Sequence, residues 1–246
     1  MRRDFICLIR LIVDSLPKKI RNSYLFFKLA KKIFDLPDIL FEFRKNFNKG
    51  LYEDLSIFYK KNSPYQLKRT SKNTDINSKH IFQIRSLIRE EKPKSILDVG
   101  CGTGYLINLM EKENYNKYIS ALDYDIPNFL KNKKQYKCFQ GDISEKLKLF
   151  EDNSFELVIC THVLEHLKNP ELVLSDLRRI SSNHLLIICP LEKNLKWGMN
   201  YHVNFYKDKL SFKKFVKSMG SLNEKVLKDS YFNQFLGDLM YIESYV

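Results

Sequence analysis

Short apolar runs alternate with amphipathic segments along the chain from residue 80 onward. The apolar runs, which are typical of buried parallel strands, are residues 95–99, 118–123, 136–140, 155–160 and 184–189. The segments with apolar residues at helical spacing are residues 80–91, 105–113 and 170–180. Strands that alternate with helices predict an α/β fold with a doubly wound, mostly parallel sheet.

The first 70 residues follow a different pattern. Residues 3–16 are predicted to form a helix, and residues 22–34 an amphipathic helix with lysines on its polar side. Its predicted apolar face consists of Leu25, Phe26, Leu29, Ile33 and Phe34. Residues 38–60 are rich in aromatic side chains and are predicted to hold one or two further helices. Because residues 61–79 are polar and turn-rich, we place a boundary near residue 70, between a helical extension (1–70) and the main domain (71–246).

Charge is distributed unevenly over the 246 residues. The net charge is +13, and residues 1–92 hold 21 Lys and Arg against 10 Asp and Glu. A basic, amphipathic extension suits an anionic partner such as lipid headgroups, nucleic acid or a phosphorylated substrate, although a general abundance of lysine accounts for it equally well. Residues 1–60 are therefore either a peripheral contact with an anionic membrane or a lid over the active site, and we favour the lid.

Cysteine usage favours a reducing compartment. The five cysteines form no C-x-x-C pair, so neither a disulfide framework nor a zinc site is predicted. Arg10 and Asp14 interrupt or follow the apolar start, and no small-residue cleavage site comes after it, which argues against a signal peptide. We expect a cytoplasmic protein, with peripheral membrane contact as the alternative.

A glycine-rich loop follows the first predicted strand in the string I-L-D-V-G-C-G-T-G-Y-L, residues 96–106. Gly100, Gly102 and Gly104 allow positive φ angles and let a ligand approach the backbone. Their spacing is G-x-G-x-G, whereas a dinucleotide fingerprint reads G-x-G-x-x-G. Asp98 would repel a pyrophosphate but suits a positively charged ligand. The loop therefore disfavours a nicotinamide-dependent dehydrogenase.

This string resembles the first motif of class I S-adenosylmethionine-dependent methyltransferases. The resemblance implies a Rossmann-like fold with a seven-stranded sheet and helices on both faces. It also implies S-adenosylmethionine as the cofactor, S-adenosylhomocysteine as the product and no metal. The loop residues that would bind the cofactor are Asp98, Gly100, Cys101, Gly102 and Gly104.

Two later elements extend the resemblance. Asp123 closes the second predicted strand, where an acid can accept hydrogen bonds from a ribose diol; Tyr124 follows it, and Asp125 is the fallback. Asp142 and Ile143 follow the third strand. In the family that this chain resembles, these two positions bind the adenine amino group and pack on the adenine ring.

Residues 152–170 resemble the fourth-strand motif of the type 11 methyltransferase group. By this resemblance Thr161, His162 and Glu165 border the transferred methyl group. His162 and His166 are four residues apart on a predicted helical segment, as metal ligands are. However, no H-E-x-x-H motif is present and the family needs no metal, so we expect His166 to be a capping or packing residue.

Residues 190–206 occupy the place where the family builds its substrate wall. The element N-Y-H-V-N-F-Y resembles a segment of type 11 and type 23 members, in which His202 would face the active site. Glu192 is a further polar candidate. The aromatic residues that would line an apolar pocket, or else pack the lid, are Trp197, Tyr201, Phe205 and Tyr206.

The resemblance implies methyl transfer to a small-molecule, sugar or lipid-linked acceptor. The acceptor must lie in line with the methyl group, and His202 and His162 are the candidate bases. O-, N- and C-methylation all remain open. The alternatives are an RNA or protein methyltransferase that uses the basic extension, and a non-catalytic module. A nucleic-acid substrate is disfavoured because no N/D-P-P-Y/F signature is present, and the intact glycines disfavour a non-catalytic module.

Overall fold

A computed structural model describes residues 8, 11–34, 38–51, 74, 76–115, 118–194, 196–197, 200–218, 227–235 and 237–246. Its helices are α1 (Lys18–Arg21), α2 (Tyr24–Phe34), α3 (Asp38–Asn48), α4 (Ser78–Glu91), α5 (Tyr105–Lys112), α6 (Asn128–Lys131), α7 (Ile143–Lys146), α8 (Pro170–Ile180) and α9 (Lys209–Ser218). Its strands are β1 (Ser95–Val99), β2 (Tyr118–Asp123), β3 (Tyr136–Gln140), β4 (Phe155–Thr161), β5 (Ser181–Pro190), β6 (Leu227–Phe235) and β7 (Asp238–Tyr245). The predicted boundary near residue 70 lies outside the described residues.

The seven strands form one sheet in the order β3-β2-β1-β4-β5-β7-β6. Strands β1 to β5 pair in parallel, and β7 runs antiparallel between β5 and β6. The prediction of a mostly parallel, seven-stranded sheet is therefore confirmed. Because the strand order reverses at β1, a crevice is expected between the carboxyl ends of β1 and β4, where ligands of such sheets bind.

The core has two halves, one on each face of the sheet. Leu97 and Val99 pack into one half and Ile96 into the other, because side chains alternate along a strand. Helices α8 and α9 cover the first half, and α4, α5 and α6 cover the second. Both faces are thus buried, which explains why the central strands read as continuous apolar runs.

Helices α2 and α3 lie against residues 191–206, the segment that follows β5. The rings of Phe27 and Phe41 stack with centroids 5.4 Å apart, and Phe41 stacks on Trp197 at the same distance. Asn48 donates a 2.8 Å hydrogen bond to the carbonyl of Lys196. The extension is therefore docked on the predicted substrate wall.

The orientation of α2 differs from the one its sequence pattern suggested. Phe27 and Ala30 form its buried face, whereas Leu25, Leu29 and Ile33 of the predicted apolar face are exposed, Leu25 by 77%. Aromatic contacts with α3 and Trp197 select the face that packs, and one helix taken alone does not reveal them. Among the described residues, no helix has both the length and the apolar character needed to cross a bilayer.

Candidate functional site

The glycine loop lies at the carboxyl end of β1 and is fixed to β2. The amides of Gly100 and Cys101 both donate to the carbonyl of Leu122, at 2.7 and 3.2 Å. Gly104 then begins α5 as its N-terminal cap, with a φ of 72°. The backbone between β1 and α5 thus turns around a rigid anchor on the neighbouring strand.

Two glycines of this loop serve different purposes. A Cβ atom at Gly100, where φ is +72°, would lie 2.2 Å from Cγ2 of Val163. At Gly102, where φ is +50°, the nearest atom to an added Cβ would be a carbonyl oxygen 3.9 Å away. Gly100 is therefore required by packing against the residues that follow β4, whereas Gly102 leaves its backbone open to a ligand.

Asp98 is a buried carboxylate just before the loop. It is 1% exposed, and its Oδ1 has no hydrogen-bond partner among the described residues. Burial raises the pKa of Asp98 to about 7, and repulsion from Asp123 adds to the effect. A buried carboxylate is costly unless it is paired, so this position favours a ligand that carries a positive charge.

Asp123 ends β2 and holds the loop from the other side. Its Oδ2 accepts a 2.8 Å hydrogen bond from the Gly102 amide, and its Oδ1 accepts a 3.2 Å bond from the Asp125 amide. Burial raises the pKa of Asp123, and these amide hydrogen bonds oppose the rise. A carboxylate has about four acceptor positions, so Asp123 keeps capacity for further donors such as a diol.

The other predicted cofactor residues surround this loop. Asp142 accepts a 2.8 Å hydrogen bond from the Ser144 amide at the start of α7 and a bond from the Tyr124 hydroxyl. Ile143 is buried. Cys101 is also buried, and desolvation raises the pKa of its thiol well above its ordinary value, which makes it unreactive.

A cluster of histidines and carboxylates follows β4 and β5. We define this histidine–carboxylate cluster as His162, Glu165, His166, Glu192 and His202. It begins directly after the predicted cofactor residue Thr161, which ends β4 and is buried. The structure thus unites residues from two segments that the sequence placed in separate motifs.

His162 does not share a helix with His166, contrary to the sequence prediction. The 3-10 helix spans Leu164–His166, and His162 precedes it with a φ of +54°. The His162 amide donates to the carbonyl of Ile188 at 2.9 Å, and this hydrogen bond extends the β4–β5 pairing by one residue before the backbone turns. Its Nδ1 lies 3.2 Å from Oε1 of Glu165. His162 therefore contacts the other members of the cluster through Glu165.

His202 is held by a carboxylate, as a general base often is. Its Nδ1 is hydrogen-bonded to Oε1 of Glu192, whose Oε2 accepts a 3.0 Å bond from the Asn200 side chain. The His202 ring lies against that of His166, with centroids 4.8 Å apart. His166 is thus a member of the cluster, and its ring packs against that of another histidine.

The aromatic side chains of residues 190–206 pack against helices. Trp197 contacts α2 and α3, Tyr201 packs edge-on against Phe43 at 5.3 Å, and Phe205 lies beneath Arg44. Tyr206 is buried against α9. The first three therefore pack against α2 and α3, and Tyr206 belongs to the core, where a bridge to Leu191 positions it.

Arg44 of α3 is a residue that the sequence analysis missed. It is fully buried, and its Nη2 donates to the carbonyl of His202 at 2.8 Å and to that of Asn200 at 3.2 Å. Its guanidinium also lies 5.5 Å from the ring centre of Phe47. No local motif marks this residue, because its partners are more than 150 positions away.

We expect Arg44→Leu to release α3 from residues 191–206. The change leaves the His202 carbonyl without its charged donor, which costs about 1–3 kcal/mol. Limited trypsin digestion should therefore cut faster at Lys193 and Lys196 than in the wild-type protein. Lys45→Leu, at the exposed neighbouring position, is the matched control and should leave the cleavage rate unchanged. Equal protection of the Arg44 variant and the wild type would contradict this role.

Comparison with known proteins places these features in context. A family profile described as a methyltransferase domain matches residues 76–218. The chain is 30% identical over 122 residues to a ubiquinone biosynthesis O-methyltransferase of Rickettsia bellii, covering 47% of this chain and 50% of that protein. It is 28% identical over 107 residues to an ajmaline N-methyltransferase of Rauvolfia serpentina, covering 40% and 36%. The chain thus spans half or less of the length of these curated relatives.

A solved structure shows the same fold. The SAM-dependent methyltransferase of Archaeoglobus fulgidus aligns with a TM-score of 0.50 at 15% identity, over 67% of this chain and 94% of that one. At this level of identity the likeness concerns the arrangement of strands and helices.

Proposed function

The chain belongs to the methyltransferase-domain family, and on this premise we propose that it transfers a methyl group from S-adenosylmethionine to a small-molecule acceptor bound beside the histidine–carboxylate cluster. The observation that carries the proposal is the buried carboxylate of Asp98, one oxygen of which has no hydrogen-bond partner among the described residues. It lies at the switch point of the sheet, beside an open glycine backbone.

The residues of the loop fit the cofactor. We propose that Asp98 pairs with its cationic amino-acid end, Asp123 accepts from its ribose hydroxyls, and Asp142 and Ile143 bind its adenine. The open backbone at Gly102 admits the ligand between the two acids. When bound, S-adenosylmethionine supplies an electrophilic methyl group, so the protein must chiefly align the acceptor with it and exclude water.

The acceptor is proposed to lie between the carboxyl end of β4 and residues 191–206. His202, held by Glu192, and His162, held by Glu165, can each take a proton from a hydroxyl acceptor. The curated relatives include both an O-methyltransferase and an N-methyltransferase. The histidine–carboxylate pairs favour the hydroxyl, because an amine needs less help from a base.

Helices α2 and α3 are proposed to act as a lid on this site. Arg44 connects them to the main-chain carbonyl of His202, so displacing the helices displaces a candidate base. Such closure would exclude water from the reacting groups.

The outer face of α2 is proposed to contact an anionic membrane surface. Leu25, Leu29 and Ile33 form an exposed stripe, and the exposed Lys28 and Lys32 lie beside it. We expect the protein to co-sediment with phosphatidylglycerol vesicles. The Leu25→Ser/Ile33→Ser variant should bind them at least about 10-fold less tightly, because it lacks two apolar side chains that would be buried in the membrane. Equal co-sedimentation of the protein with neutral phosphatidylcholine vesicles, or no effect of the double substitution, would contradict this contact.

Binding of the cofactor should depend on pH through Asp98. Because burial raises its pKa to about 7, about half of the ligand-free protein carries the neutral acid at that pH. Only the ionised form pairs with a cation, so affinity should be full above pH 8 and fall about 10-fold by pH 6. Calorimetry in two buffers of different ionisation enthalpy checks this, since binding at pH 6 should release a proton. Affinity that is constant from pH 6 to 8 would contradict it.

Methyl transfer itself is tested with methyl-labelled S-adenosylmethionine and a panel of phenols, alcohols and amines. We expect formation of S-adenosylhomocysteine that depends on a hydroxyl acceptor and falls at least about 100-fold in a Glu165→Gln/Glu192→Gln variant. A cofactor-binding protein that methylates only amines would overturn the hydroxyl acceptor. One that methylates no member of the panel would overturn the small-molecule assignment.

A further inference from the structure

Three members of the histidine–carboxylate cluster converge on one point. A carboxylate oxygen of Glu165 and one ring nitrogen each of His166 and His202 all lie within 4.8 Å of one another. Glu165 and His202 are buried, and His166 is partly buried. Zinc–nitrogen and zinc–oxygen bonds are each about 2 Å long, so tetrahedral zinc ligands lie about 3.3 Å apart, and these atoms would move closer together by about 1.5 Å or less to share an ion.

The outer contacts of the two imidazoles match those of metal-bound histidines. A histidine that ligates a metal through one nitrogen usually hydrogen-bonds through the other to a carboxylate or a carbonyl. Nδ1 of His202 bonds to Glu192, and Nδ1 of His166 lies 3.4 Å from the carbonyl of Tyr201. In both residues Nε2 is therefore the nitrogen that would bind an ion, and that of His166 lies 3.9 Å from Oε1 of Glu165.

The backbone holds these ligands together before any ion arrives. The amides of Val203 and Asn204 donate to the main-chain carbonyl of Glu165 at 2.8 and 3.0 Å. The side chain of Asn204 donates to the carbonyls of Leu164 and Leu167 at 2.8 and 2.7 Å. The segment that carries His202 is thus bonded to the 3-10 helix that carries Glu165 and His166, and the set is preorganised.

We propose that Glu165, His166 and His202 bind one divalent metal ion of the zinc class. Two imidazoles and one carboxylate suit zinc, cobalt or ferrous iron, whereas magnesium and calcium prefer oxygen ligands alone. Three protein ligands leave at least one coordination position for another molecule. The spacing of His162 and His166 alone predicts no metal site, but the structure places His166 beside His202, which is 36 positions further along the chain.

A catalytic role for the ion rests on the proposed function. The acceptor, which we place beside the same cluster, could occupy the remaining coordination position, because a metal ion favours the deprotonated form of a bound hydroxyl. Ligation would withdraw His202 from proton transfer and leave His162 as the base. The hydroxyl proton would pass to His162, and the deprotonated acceptor oxygen would attack the methyl group, with S-adenosylhomocysteine as the leaving group.

The test is titration of chelator-stripped, full-length protein with Co²⁺, followed by its visible absorption, with Zn²⁺ and Mg²⁺ as competitors. We expect one Co²⁺ per chain at micromolar or tighter affinity, displaced by Zn²⁺ and not by Mg²⁺. His166→Gln and His202→Gln should each weaken binding at least about 100-fold. Glu192→Gln should weaken it about 10-fold, through the orientation of His202.

His184→Gln is the matched control, because its imidazole lies outside the cluster and bonds to Ser244. S-adenosylmethionine binding is measured on the same samples, so loss of the metal site and failure of the cofactor site are distinguished. The proposal is overturned if folded wild-type protein binds neither Co²⁺ nor Zn²⁺ when the metal is present in about 100-fold molar excess over the protein. It is also overturned if the His166 and His202 variants bind like the wild type.

Discussion

Asp98→Asn is expected to weaken S-adenosylmethionine binding about 100-fold while making the ligand-free protein more stable. The substitution keeps the shape of the side chain and removes its charge. A hydrogen bond between charged groups in a buried site contributes about 2–3 kcal/mol, which gives the loss of affinity. Without the cofactor, the ionised carboxylate is buried at a cost, so its removal should raise the free energy of unfolding at pH 8 by about 1–2 kcal/mol.

Calorimetric titration and urea denaturation on the same samples measure the two effects. Asp229→Asn, an exposed position on β6, is the control and should change neither quantity. A purely structural role for Asp98 predicts that stability and affinity fall together. That result, or wild-type affinity in the variant, would remove the main support for the cofactor site.

Gly100→Ala is expected to lower the free energy of unfolding by about 3 kcal/mol. A non-glycine residue at φ +72° costs about 1 kcal/mol, and the close approach of its Cβ to Val163 adds about 2 kcal/mol of overpacking. Because the same amide anchors the loop to Leu122, cofactor binding should be lost as well. Urea denaturation gives the first effect, and calorimetry gives the second.

Two controls separate the backbone from the side-chain contribution. Gly50 has a similar φ of +69° with nothing within 4 Å of an added Cβ, so Gly50→Ala should cost about 1 kcal/mol. Combining Gly100→Ala with Val163→Ala removes the overlapping methyl group, and the double variant should be more stable than the sum of the single changes by at least about 1 kcal/mol. Strict additivity would show that Val163 is not the obstacle.

The sheet could be predicted from the sequence because its signals are local. The predicted boundaries of the first three strands agree with the structure, since each strand ends at an acid or directly before a glycine, and the first two are mostly buried apolar runs. The fourth and fifth strands are longer than predicted. Helix α8 passes directly into β5 at Ser181, so that the strand begins three residues earlier than predicted.

The proximity of Asp98, the glycines and Asp123 could also be predicted, because they lie at or just beyond the carboxyl ends of neighbouring parallel strands. The histidine–carboxylate cluster could be predicted only in pieces. His202 and Glu165 are 37 positions apart, and the backbone bonds that join their segments leave no trace in a pattern of apolar residues. The exposed stripe on α2 has the same origin, because the buried face was selected by Trp197 and α3.

We propose above all that the loop between β1 and α5 binds S-adenosylmethionine. The most direct test is calorimetric titration of the intact wild-type protein at pH 8 with S-adenosylmethionine, S-adenosylhomocysteine and NAD. We expect one site per chain with micromolar affinity for both adenosyl ligands and no binding of NAD, whose pyrophosphate Asp98 would repel. Binding of NAD, or folded protein that binds none of the three, would contradict the assignment of this loop.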